Sequence, residues 1–146
     1  MRKIVLNSQQ SGSLLPNWYE LDLLKLDRLK TVFLRNSHIN GYHLLRVMSC
    51  PAILIDPCGF ILNGKHRAVT SFSKGYSLDV CIIETENDLF HHTPKECYGE
   101  TGLKGMLEAW DNRVPLIAEC QMMKVYSVRD LARNLSLSPQ VNAVQL

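Results

Sequence analysis

No two cysteines in this chain stand in a Cys-x-x-Cys pair, and their number is odd: Cys50, Cys58, Cys81, Cys97 and Cys120. That argues against a disulfide framework and against a zinc ribbon. Buried, reduced thiols in an intracellular protein are the expectation, with Cys50, Cys58 and Cys81 in or beside core strands. No apolar run approaches the roughly 20 residues of a membrane-spanning helix. After Met1-Arg2-Lys3 only Ile4-Val5-Leu6 precedes polar residues, too short for a signal-peptide core. The reading is therefore a cytoplasmic protein with no membrane partner. Excess charge is missing too: the net charge is +2, so bulk electrostatics gives no reason to bind nucleic acid, and any anion must be held locally. Repeats and low-complexity tracts are absent. What remains is ordinary for one folded unit, with 46% hydrophobic and 21% charged residues over 146 positions.

The chain is organised around Pro51 to Gly75. Ala52 to Ile55 is a short apolar, partly β-branched run and predicts a buried strand. Asp56-Pro57-Cys58-Gly59 places Asp, Pro and Gly where a type I turn prefers them. Phe60 to Leu62 is a second apolar run, so a tight hairpin follows. Beyond Asn63-Gly64 the period changes to helical: Ala68, Val69 and Phe72 share a face, Gly75 suits the C′ position, and Asn63 or Gly64 the N-cap.

Lys65, His66 and Arg67 fall in the first turn of that helix, where the macrodipole is positive and amide N–H groups lack partners. Cations there are disfavoured by roughly 0.3–1 kcal/mol each, and no acidic residue in the turn offsets them. Two readings follow. In one, Asn63-Gly64-Lys65-His66-Arg67 cradles a phosphate or carboxylate, with Gly64 allowing close backbone approach. In the other, the helix start is solvated and steadied by a distant Asp or Glu.

Residues 1–15 predict a flexible lead-in, 16–100 the main domain, and 101–146 a helical C-terminal extension on the same domain. Asp27 to Arg35 is helix-like, with Glu20 to Leu26 a strand or a helix start. Tyr42 to Ser49 predicts a short helix, Leu78 to Ile83 a strand, and Glu84 to Gly102 a long loop or lid. His91-His92 does not suggest a metal site, because adjacent residues point apart on any regular element. Leu103, Met106, Leu107 and Trp110 mark an amphipathic helix. Val114 to Val125 is apolar but interrupted. Ser127 to Leu135 predicts a helix capped by Ser127 with Asp130 in its first turn. The order of strands and helices predicts an α+β fold, a mixed sheet with one helix crossing a face.

The segment Pro-Ala-Ile-Leu-Ile-Asp-Pro-Cys-Gly-Phe-Ile-Leu-Asn-Gly-Lys-His-Arg-Ala resembles the core of the ParB/sulfiredoxin superfamily: a Pro-led strand, a turn with Gly, a second strand, then a Gly-x-x-Arg turn opening a helix. The likeness runs on through Gly75-Tyr76 to the strand Leu78–Ile83. It implies a small mixed sheet with flanking helices and a turn that holds phosphates of a nucleotide or an activated substrate. Sulfiredoxins carry a nucleophilic Cys where this chain has Lys65, which argues against sulfinic acid repair. Partition proteins of the ParB type bind CTP at a similar turn and carry two further modules, for which this chain leaves little room. The turn is most similar to the Asp-Gly-His-His-Arg of free-serine kinases, with Asn63 for Asp and Lys65 for the first His.

That resemblance implies a nucleotide tri- or diphosphate with Mg as cofactor, a phosphorylated small molecule as partner, and Glu20 as base, with Asp22 as second choice. Arg67 would fork onto phosphate oxygens, Lys65 would act as a point charge, and His66 would hydrogen-bond phosphate or exchange a proton. The leading expectation is thus a nucleotide- or phosphate-binding domain, and if it is an enzyme the expected activity is ATP- or ADP-dependent phosphotransfer to a small molecule. A non-enzymatic, DNA-associated ParB-like regulator is the alternative, using Ser127–Pro139, which resembles the first half of a helix-turn-helix. An interaction module with an inactive pocket is the third.

Overall fold

A computed structural model describes residues 2–35, 52–92 and 95–137, with side chains over 2–29, 52–91 and 102–135. The predicted helix at 42–49 and the segment after 137 lie outside them. The fold is α+β. Four strands, β1 (Arg2–Leu6), β2 (Ile53–Ile55), β3 (Ile61–Asn63) and β4 (Leu78–Ile82), form one mixed sheet in the order β1-β4-β2-β3. β2 and β3 are the expected antiparallel hairpin. β4 returns parallel to β2 after helix α3 (Lys65–Lys74), which is the expected crossover.

The sheet is covered on both faces, so its inner strands read as continuous apolar runs. Ile53, Ile55, Ile61, Leu78, Val80 and Ile82 point to one face. There they pack with Leu26 and Leu29 of α2 (Leu23–Arg35), Ala68 and Val69 of α3, and Val128 and Leu131 of the C-terminal helix. The residues between them, Leu54, Leu62, Cys81 and Ile83, join Phe60 on the other face. They meet Leu89 of α4 (Glu86–His92) and Met106 of α5 (Lys95–Asp111). α6 (Arg113–Met122) and α7 (Val128–Leu137) complete the described chain.

Of the lead-in expected over 1–15, residues 2–15 are instead part of the fold. Arg2–Leu6 pairs antiparallel with β4 along its whole length. Its side chains are exposed up to Leu6, so backbone hydrogen bonds hold it and no alternating pattern announces it. α1 (Ser8–Gly12) follows, opened by a capping box between Asn7 and Gln10. Gly12 lets α1 approach α3: a Cβ there would stand 2.5 Å from the Phe72 ring.

The loop or lid expected over 84–102 is also corrected, since α4 and the start of α5 occupy it. The Asp88 carboxylate accepts hydrogen bonds from the Glu84 and Thr85 amides, capping α4. Asp130 does the same for α7 through the amides of Tyr126 and Ser127. α5 runs straight across position 100. Cys58, expected beside the core strands, is exposed on the hairpin turn, whereas Cys81 and Cys120 are buried.

One buried carboxylate ties the hairpin to the C-terminal helices. Asp56 is 5% exposed. Its Oδ1 accepts the Cys58 and Phe60 amides at 2.9 and 2.7 Å, and its Oδ2 accepts Arg113 Nη1 at 3.0 Å. The same guanidinium lies 3.7 Å over the Trp110 ring and donates through Nε to the Trp110 carbonyl. Removing the carboxylate strands two turn amides and a half-buried cation. Asp56→Ala should therefore cost about 3 kcal/mol of folding free energy. Asp56→Asn should cost less, because its amide oxygen still accepts; urea denaturation of both variants measures the difference.

Candidate functional site

The site forms where β3 hands over to α3. Asn63 ends the strand, and Gly64 turns the chain at φ 105°, in the left-handed region. The turn also presses against β2: a Cβ on Gly64 would fall 2.2 Å from Ile53 Cγ2 and 3.3 Å from a terminal nitrogen of Arg67. Only glycine satisfies both demands. The first backbone bond within α3 is Ala68 N–H to the Gly64 carbonyl at 3.0 Å, so the amides of Lys65, His66 and Arg67 precede the helical ladder. Gly75 closes the helix at φ 76°, as the sequence predicts.

A cleft of about 200 Å³ opens at this turn. Residues 63–67 form one wall, and Lys25, Arg28 and Leu29 of α2 form the other. Lys25, Arg28, Lys65 and Arg67 bring four cationic side chains to it, and among the described residues no carboxylate lines it. The Arg67 side chain is buried with its residue at 8% exposure, beside the Gly64 backbone. The Nδ2 of Asn63 is buried and has no hydrogen-bond partner among the described residues. An unsatisfied buried donor costs about 1–3 kcal/mol, a cost that an oxygen from a ligand would remove.

Two of the expected phosphate ligands also have another task. Lys65 Nζ donates to the Glu20 carbonyl at 2.6 Å, and His66 Nε2 accepts the Asp22 amide at 2.8 Å. Because Nε2 is the acceptor, the ring proton resides on Nδ1. Burial, with help from the Lys65 and Lys25 charges, pushes the His66 pKa down to about 4, so the ring is neutral at pH 7. Burial likewise lowers the Lys65 pKa. His66, predicted to exchange a proton, thus has its basic nitrogen engaged by backbone. Asp22, the second choice for base, has its carboxylate on the amides of Leu24 and Lys25, where it caps α2, and the Lys25 amide bond leads in lowering its pKa. Glu20 borders the site through its carbonyl, while its exposed side chain is not part of the cleft lining.

Lys25 and Arg28 escaped the sequence reading. Their signal was available as two cations three apart on one helix face, but nothing local says which element that face meets. Among the described residues no three His, Cys, Asp or Glu gather as a metal site. Among the described residues the cleft lining offers Mg²⁺ no carboxylate, and Asn63 stands where the resemblance would put an acid.

His66 binds a proton more weakly in the folded chain than in the unfolded one, where its pKa is near 6.5. The unfolded state therefore takes up the extra proton, and its contribution to stability is complete above about pH 6.5 and falls as pH drops toward 4. Urea midpoints between pH 7 and 4 should fall less steeply for His66→Gln than for the parent protein. Compared with protein-family models, curated proteins and solved structures, the chain matches none.

Proposed function

We propose that this chain is a ParB/sulfiredoxin-like domain that binds a nucleotide or a phosphorylated small molecule at Asn63–Arg67. The observation that supports the reading best is a cleft with no acid among its described lining residues, where cations from two helices surround a helix start. Arg67 would take phosphate oxygens bidentately, the amides of residues 65–67 would cap them, and Asn63 Nδ2 would gain its missing acceptor. Lys65 keeps two of its three N–H donors beyond the one given to Glu20, and remains a point charge on the ligand.

The site also supports phosphotransfer to a small hydroxyl acceptor. Glu20 is the base in that reading, its backbone carbonyl being held by Lys65 of the cleft. His66 then serves by holding the 20–22 segment in place. The DNA-associated alternative draws less support. Val128, Leu131 and Ala132 of α7 are buried against the core, and Arg129 of the same helix lies over the Phe72 ring at 5.4 Å, which makes α7 a packing helix.

Isothermal titration with ATP, ADP and CTP, with and without Mg²⁺, tests binding. At least one should give a saturable signal, and Arg67→Ala should weaken it by about 1.5–3 kcal/mol. Silence from all three removes the reading. Phosphorus NMR of ADP or ATP incubated with free serine tests transfer; Glu20→Gln should abolish any phosphoserine formed while leaving nucleotide affinity within a few tenths of a kcal/mol.

A further inference from the structure

We propose that the cavity between residues 17–18 and the corner where α5 turns into α6 is a binding site for a small organic cation, an ammonium group carried on an apolar body. The cavity shares no lining residue with the Gly64–Arg67 cleft, so the proposal stands apart from the phosphate-binding reading.

Size and lining decide the class of ligand. The cavity holds about 420 Å³, within the roughly 300–1,000 Å³ of small-molecule pockets. Trp18, Pro115 and Leu116 give it apolar surface, while Glu108 of α5 and Glu119 of α6 bring a carboxylate from each helix. Among the described residues no lysine, arginine or histidine lines it. Neither carboxylate has an ion-pair or hydrogen-bond partner among the described residues. The nearest cation in sequence, Arg113, is held elsewhere: it donates to Asp56 at 3.0 Å and lies 3.7 Å over the Trp110 ring. An indole face and a carboxylate are the two groups that attract an ammonium, and here they line one cavity. Asn112 adds an acceptor, since its Nδ2 is engaged by the Glu108 carbonyl at 2.7 Å and its Oδ1 remains.

Two sets of contacts fix the shape of the cavity before any ligand enters. Leu15 donates its amide to the Gly59 carbonyl at 2.8 Å and accepts the Ile61 amide at 2.9 Å. The Pro16 carbonyl next to it accepts the Cys120 thiol of α6 at 3.6 Å. The segment that carries Trp18 is thereby held to the hairpin and to α6, and the Trp18 ring packs on Tyr19 with 4.3 Å between centroids. On the other side, the Asp56–Arg113–Trp110 contacts hold the α5–α6 corner to the same hairpin. A cavity walled by elements fixed in this way binds at a small cost in ordering.

Gly105 points to the same cavity from a different direction. It lies inside α5, where glycine weakens a helix. Packing does not demand it, because a Cβ there would meet nothing within 4 Å. What its missing side chain preserves is the open volume of the cavity it lines.

The test uses three probes of similar size, titrated calorimetrically into the full chain: phenethylamine as the cation, phenethyl alcohol as its neutral counterpart, and phenylacetate as the anion. The amine should bind saturably, the alcohol about tenfold more weakly, and phenylacetate not measurably. The Trp18 indole N–H, assigned through Trp18→Phe, should shift saturably with the amine in proton–nitrogen correlation spectra. Glu108→Gln with Glu119→Gln should weaken the amine about tenfold and leave the alcohol unchanged; both side chains are exposed, so folding is retained. Gly105→Leu should weaken amine and alcohol alike by filling the cavity, in a place where the new side chain meets no neighbour at its Cβ. An amine that binds no more tightly than the alcohol overturns the proposal. Amine binding that survives both the double substitution and Gly105→Leu overturns it too, by placing the site elsewhere. A capped lysine tripeptide that binds more tightly than the amine overturns the small-molecule occupant in favour of a protein partner.

Discussion

The chain must leave β3, reverse into α3 within one residue, and stay flat against β2 while doing so. Gly64 is where these demands meet. Its positive φ and the 2.2 Å that would separate a Cβ from Ile53 exclude any side chain. Because Ile53 is part of the sheet's main core, the geometry of the helix start is set by the packing of the sheet itself. The amides of residues 65–67 therefore point in a fixed direction, and Arg67 is buried beside them. A rigid donor array of this kind would lose little entropy on binding a ligand.

The second wall is fastened to the first by the Lys65 side chain, which donates to the Glu20 carbonyl, and the His66 side chain, which accepts the Asp22 amide; this explains why a lysine and a histidine tolerate partial burial. Each spends part of its hydrogen-bonding capacity on a main-chain group of the 20–22 segment. Desolvation lowers both pKa values, so His66 is neutral and serves as an acceptor. The cluster is thus less cationic than its sequence suggests at His66, and more cationic than its sequence suggests through Lys25 and Arg28.

The central third of the chain was legible for local reasons. Strand period, turn chemistry and the glycines that bound α3 are properties of a few adjacent residues, and Ile53–Ile55, the Asp56–Gly59 turn, α3 and β4 follow them. The errors lie where local signals compete. β1 is exposed on four of its five residues and is held largely by pairing with β4, with Leu6 alone of its side chains in the core, so no alternation marked it. Glu84 to Gly102 is rich in charge and carries glycine, which suggested a loop; Asp88 uses that polarity to cap α4, and buried Leu89 anchors the helix in the core.

By itself the amino-acid order determined that three cationic or titratable groups open a helix after a hairpin, with no acid in the turn. Spacing and backbone propensity are enough for that, because a helix start is defined within one turn. Only the tertiary structure decided which of them reach the cleft, that His66 accepts rather than donates at Nε2, and that α2 supplies two further cations. Those outcomes depend on contacts between segments more than 40 positions apart, which arise from how two helices pack on one sheet face and leave no trace in any local pattern.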